Sequence, residues 1–118
     1  MNLTTEDREG ISIVRVGETR MMYPVLADFS AAVTTLVDDG ARKVLIDFST
    51  VDYIDSATIG CLMDLYRQIT AAGGALRLCG VQRRVETMLT MTGAQNFIPL
   101  HTDEASAVKS FGGPHAQN

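Results

Sequence analysis

The sequence predicts a single α/β domain: a mixed, largely parallel sheet of four to five strands with about four helices packed on it. Three observations lead there. Strand-like and helix-like hydrophobic patterns alternate along the chain, which implies right-handed βαβ crossovers. Val44 to Phe48 is a continuous apolar run, as expected of a central strand buried on both faces. The chain has 118 residues, 46% of them hydrophobic, which suits one domain with a real core. No internal repeat, low-complexity segment or linker interrupts it.

Leu3 to Asp7 is expected as a short edge strand, with Glu9-Gly10 as its turn. Ile11, Ile13 and Val16 largely alternate and so mark a second strand, which Gly17-Glu18 ends. Pro24 suits the first turn of a helix whose face is Val25, Leu26, Phe29, Val33, Leu36 and Val37. Gly40 supplies a left-handed residue to close it. The central strand follows, and polar residues from Ser49 to Asp52 break it. After Asp55-Ser56, helical spacing returns at Ile59, Leu62, Met63, Tyr66 and Ile69, running to about Ala72. Gly73-Gly74 stops that helix. Ala75 to Cys79 is another apolar strand, and Gln82 to Thr92 a helix with Val85, Met88 and Leu89 inward, ended by Gly93. Phe97-Ile98 is expected as a short strand, confined by Pro99 to an edge or an end. Thr102 is the expected N-cap of a last helix, with Asp103 and Glu104 favourable in its first turn. Ala105, Val108 and Phe111 form its apolar side. Gly112-Gly113-Pro114 breaks it, so the domain is expected to span residues 1–112, with 113–118 a mobile tail.

Charge and composition exclude several classes of function. Asp+Glu 14 against Lys+Arg 10 gives a net charge of -4, which argues against a nucleic-acid binder. No apolar run approaches the ~20 residues of a membrane span, so no direct membrane insertion is expected. The N-terminus has neither a basic region nor an apolar one, so no secretory signal is visible. Cys61 and Cys79 lie in apolar surroundings and form no CxxC; they read as reduced core residues, which points to the cytoplasm.

The place to look for function is where the central strand gives way, through Asp55-Ser56, to the following helix. In open α/β folds working sites lie outside the carboxyl ends of the strands. The helix N-terminus there favours negative charge. Two readings of Ser56 stand: Asp55 or Ser56 simply caps the helix, or Ser56 is exposed and accepts a phosphoryl group, whose charge the helix start would tolerate and a docked partner would not. Periodicity alone favours capping. A hydrolytic serine is disfavoured, because no G-x-S-x-G pattern occurs and neither His101 nor His115 is brought near it by sequence. Asp47, Asp52 and Asp55 read as solvated loop carboxylates rather than a metal site. No P-loop or G-x-G-x-x-G pattern occurs, so no cofactor is expected. Met21-Met22 lie before a helix, where core packing is favoured over a flexible partner surface.

The stretch Ile46-Asp47-Phe48-Ser49-Thr50-Val51-Asp52-Tyr53-Ile54-Asp55-Ser56-Ala57-Thr58-Ile59-Gly60-Cys61-Leu62 resembles the signature of STAS domains of the anti-sigma factor antagonist type, a strand ending D/N-L-S and then D-S-S/T-G-L-G-x-L. The likeness continues through Gly73-Gly74, through Val85 to Gly93, and through Phe97 to Phe111. It implies a STAS-like fold and a regulatory protein that is not an enzyme. It also implies an anti-sigma factor serine kinase as partner, bound when Ser56 is unphosphorylated and released once the kinase has phosphorylated it. A PP2C-type phosphatase would reset the switch. Asp55, Ser56, Ala57, Thr58, Arg20 and Met21 are then expected at the partner surface, and a homodimer is compatible with the family. Two positions depart from the pattern. Ala57-Thr58 stands where a second hydroxyl and a glycine are usual, which makes Thr58 an alternative acceptor. Arg20 stands where the family often carries an aspartate. The alternative function is a constitutive STAS subunit of a transport ATPase or of a stress-sensing assembly, with no phosphorylation switch.

Overall fold

The computed structural model describes residues 2–112, so the expected tail at 113–118 lies outside the described residues. The element order is β1 (Leu3–Arg8), β2 (Ile11–Val16), β3 (Arg20–Met21), α1 (Tyr23–Asp38), β4 (Lys43–Asp47), β5 (Tyr53–Ile54), α2 (Ser56–Ala71), β6 (Ala75–Cys79), α3 (Arg83–Met91), a 3-10 turn at Ala94–Asn96, β7 (Leu100–His101) and α4 (Glu104–Ser110). Four helices thus accompany a mixed five-stranded sheet in the order β1-β2-β4-β6-β7. Among the described residues only the β1–β2 pair is antiparallel. Glu9 and Gly10, at φ 56° and 82°, make the tight turn between them, the combination that matches the twist of a hairpin.

β4 lies at the middle of the sheet and is buried on both faces. Val44 and Ile46 point into the larger core with Phe29 and Val33 of α1 and Leu62, Leu65 and Ile69 of α2. Leu45 points the other way, into a smaller cluster with Ile11, Ile13, Cys79 and Ala107 of α4. At the far end from the site, Gly74 passes so close to the main chain of Arg42 that a Cβ would collide with its carbonyl, and a larger residue there would push the start of β6 away from β4.

Arg15 joins the sheet to α4 on the smaller face. Its guanidinium donates to Glu104 Oε1 at 2.6 Å, to Asp47 Oδ2 at 3.0 Å and to Glu6 Oε1 at 3.2 Å, while Arg8 donates to Glu104 Oε2 at 2.6 Å. Asp47 is therefore not the solvated carboxylate that the sequence leads one to expect. Its position at the end of β4 faces Arg15 across the β2–β4 register.

Several local expectations need correction. Phe97-Ile98 is not a strand. Gly93, at φ 80°, turns the chain into the 3-10 segment, Ile98 drops into the core, and the strand forms two residues later, after Pro99. Pro99 cannot donate, but its carbonyl accepts from Leu78 N at 3.0 Å and so starts the edge pairing. The cap of α4 is Asp103, whose carboxylate accepts from Ser106 N at 2.7 Å, not Thr102. Ala105 is exposed and Ala107 takes the buried position, a shift in helical phase that follows from the shifted cap. In α2, Leu65 is buried where Met63 and Tyr66 are only half so.

Candidate functional site

A two-residue parallel ribbon sets the site. β3 and β5 pair Arg20 with Tyr53 and Met21 with Ile54, outside the main sheet. Each strand runs almost directly into a helix, so the pairing brings the N-termini of α1 and α2 side by side. Neither short strand has enough residues to show a periodicity, which is why the sequence pattern does not reveal them.

Asp55 is the N-cap of α2, in extended conformation. Its Oδ1 accepts from Thr58 N at 2.9 Å, the usual capping bond. Its Oδ2 accepts from Tyr23 N at 3.2 Å, at the first residue of α1. Met22, the N-cap of α1, makes no side-chain cap of its own. One carboxylate therefore caps two helices. Desolvation acts to raise the pKa of Asp55, but the hydrogen bonds from the Thr58 hydroxyl, from Thr58 N and from Tyr23 N outweigh it, and the group titrates below the ordinary aspartate value.

Thr58 lies in the first turn of α2 and is 0% exposed. Its hydroxyl is 2.7 Å from the main-chain oxygen of Met21 and 2.8 Å from Asp55 Oδ1, so its single proton is shared between two acceptors. The side chain is enclosed and already engaged, which removes it from the surface as an acceptor. Met21 is also fully buried, in the larger core, and contributes its carbonyl rather than its side chain to this region. The expectation of Met21 at a partner surface therefore fails in this structure, since β3 turns the side chain inward.

Ser56 and Ala57 are exposed in the first turn of α2. Arg20 is exposed too, and its guanidinium carbon sits 4.3 Å above the centre of the Tyr53 ring, a cation–π contact next to the loop. The structure thus brings Asp55, Ser56, Ala57 and Arg20 to one end of the molecule and puts Thr58 and Met21 beneath them. His101 pairs in register with Cys79 and shares the face covered by α4, away from α2. Burial first, then the charge of Arg77, holds its pKa below the ordinary histidine value. Among the described residues, no three His, Cys, Asp or Glu side chains converge to hold a metal ion, and no helix is long and apolar enough to cross a membrane.

One feature escapes the sequence reading. A groove of about 560 Å³ runs between α1 and α2, beginning at Ala57. Tyr23 forms part of its wall and is 76% exposed.

A family model described as STAS domain matches residues 2–107. The anti-sigma-B factor antagonist of Staphylococcus aureus is 23% identical over 109 residues, covering 92% of this chain and 98% of that protein. The anti-sigma-factor antagonist (STAS) domain protein of Planctomyces limnophilus superposes with a TM-score of 0.86 at 19% identity, covering 94% of this chain and 98% of that one. The Bacillus cell fate determinant SpoIIAA in its phosphorylated form superposes with a TM-score of 0.71 at 15% identity, covering 92% and 98%.

Proposed function

This chain belongs to the STAS-domain family, and from that membership we propose that it is an anti-sigma factor antagonist whose switch is the phosphorylation of Ser56. Unphosphorylated, it captures an anti-sigma factor serine kinase in the cytoplasm and so frees a sigma factor for transcription. Phosphorylated, it lets the kinase go, and a PP2C-type phosphatase restores it. The protein carries out no catalysis of its own.

The observation that carries this reading is the division of roles at Asp55-Ser56. Asp55 does the capping, for two helices at once. Ser56 is left at the first position of α2, exposed, and is not needed as a cap. A phosphate of about -1.5 to -2 charge sits well at a helix N-terminus within the molecule. It sits badly against a kinase that has brought its own nucleotide phosphates to the same place. The buried, engaged hydroxyl of Thr58 supports Ser56 over Thr58 as acceptor.

The test is intact-mass measurement after incubation with candidate anti-sigma factor kinases and ATP. A single phosphate on wild type, absent from Ser56→Ala, is the expected result. Co-purification with a transport ATPase or a large assembly, with no phosphate on any variant, would overturn it in favour of a constitutive subunit.

A further inference from the structure

We propose that the groove between α1 and α2 receives a large apolar side chain of the kinase when it captures the unphosphorylated protein; this rests on the reading of Ser56 given above. The groove starts at Ala57, one residue beyond Ser56, so a kinase that reaches the serine already lies across its mouth. Its lining is mostly small and apolar, with Leu26 and Ala27 from α1 and Ala57, Gly60 and Cys61 from α2, the ring of Tyr23 as an outer wall and the Ser30 hydroxyl as a single uncharged polar spot. Asp64 is the one charged residue in that lining, and Arg67 already pairs with it. Nothing there recognises a charged group, whereas methyls, a thiol and an aromatic face suit an aliphatic or aromatic anchor.

Gly60 gives the independent reason. It lies in the second turn of a regular helix, where glycine is destabilising relative to alanine. Its φ is not positive, and a Cβ built on it would meet nothing within 4 Å. The fold therefore has no use for a missing side chain at this position. The groove does, because any side chain at residue 60 would project into it.

The groove also contains its own reporter. Cys61 is half-buried in the lining, and burial raises its thiol somewhat, whereas Cys79 is enclosed in the core at 1% exposure with its thiol pushed up to about 12 by burial and neighbouring carboxylates. N-ethylmaleimide should therefore mark Cys61 alone in the folded protein.

The experiment measures binding of wild type, Gly60→Ala and Gly60→Leu to each anti-sigma factor serine kinase of the source genome, with ADP present, and follows N-ethylmaleimide addition in the complex. Gly60→Ala should raise Tm by about 3–5 °C, as expected for a helix-favouring change in a domain of this size, yet weaken capture. Gly60→Leu should weaken it at least ~10-fold with Tm no lower than wild type. Cys61 should be protected in the complex. If a kinase phosphorylates Ser56 but binds all three proteins equally and leaves Cys61 reactive, the groove lies off the interface and only this inference falls. If no kinase binds or phosphorylates wild type, the Ser56 reading fails and this one with it. A wild-type dimer that Gly60→Leu disperses would assign the groove to a second copy of the chain and overturn the proposal.

Discussion

Thr58 donates its hydroxyl to the main-chain oxygen of Met21 at 2.7 Å, across 37 residues of sequence. The bond fastens the first turn of α2 to the strand that leads into α1. It exists because a threonine stands where the family signature has glycine. The residue that looked like a complication in the turn is a cross-link under it.

Replacing Thr58 by Val keeps the shape but removes the hydroxyl that donates to the buried main-chain oxygen of Met21, while Asp55 Oδ1 keeps its bond from the Thr58 N–H. The loss should be about 1–3 kcal/mol, the usual penalty for leaving a buried polar group without its partner. Thr58→Ser should recover most of it. Chemical denaturation of the three proteins is the measurement, and equal midpoints for Val and wild type would show that the bond contributes nothing.

Asp55→Asn separates one cap from two. At an ordinary N-cap, Asn serves as well as Asp. Here Asn has one oxygen for two helices, and its amide would face the N–H of Tyr23. A loss of about 1 kcal/mol is expected for Asn and about 2 kcal/mol for Ala, on the scale of ~1 kcal/mol per cap. An Asn variant as stable as wild type would show that the Tyr23 bond is idle.

Ser56→Ala should change stability by less than about 0.5 kcal/mol, since the hydroxyl is exposed and the cap lies elsewhere. Ser56→Asp should leave the circular dichroism spectrum unchanged while weakening kinase capture at least ~10-fold, a change of about 1.4 kcal/mol. Thermal unfolding followed by circular dichroism reads stability and fold, titration calorimetry with nucleotide present reads capture, and equal affinities would remove Ser56 as the switch.

Acid should unfold the protein through two carboxylates in particular. Hydrogen bonds from Arg15, then from Arg8, hold Glu104 below its ordinary value of 4.5 against the opposing effect of desolvation. Asp55 is held below 3.8, its desolvation outweighed by Thr58 and Tyr23. Both groups have lower pKa values folded than unfolded. Their contribution is therefore complete above the unfolded values and disappears as pH falls through the folded ones. Calorimetry should show Tm easing down below about pH 6.5, where His101 takes up a proton more readily unfolded than folded, and falling steeply below about 4. Arg15→Gln should lower Tm at neutral pH and make the acid slope shallower; an unchanged slope would show that Glu104 is not a source of it.

How much of this was legible follows from how many residues carry each signal. The strand at Val44–Phe48 and the helix after Ser56 each repeat their pattern over several positions, and both appear close to where the spacing puts them. The candidate site is expected at Asp55-Ser56 from the strand-to-helix junction and the family motif. Its construction was not legible, because it depends on pairings between distant residues: Arg20 with Tyr53, Tyr23 with Asp55, Thr58 with Met21. Each is a single contact with no periodicity behind it. The burial of Met21 follows from the same ribbon, and no local pattern could show which way a two-residue strand turns its side chains.

The two margins of the sheet bear on how this protein behaves when crowded. β1 is exposed along nearly its whole length and ends in Glu6, Asp7 and Arg8. A foreign strand laid beside it would have to bring its own side chains up against fixed charges of both signs. The opposite margin, β7, offers only Leu100 and His101, with Pro99 just before them unable to donate. Neither margin is a good template for further strands. A chain made in large amounts should accordingly stay dispersed rather than grow into fibrils, and its clumping in the cell would then depend on how much of it is unfolded rather than on how much is present.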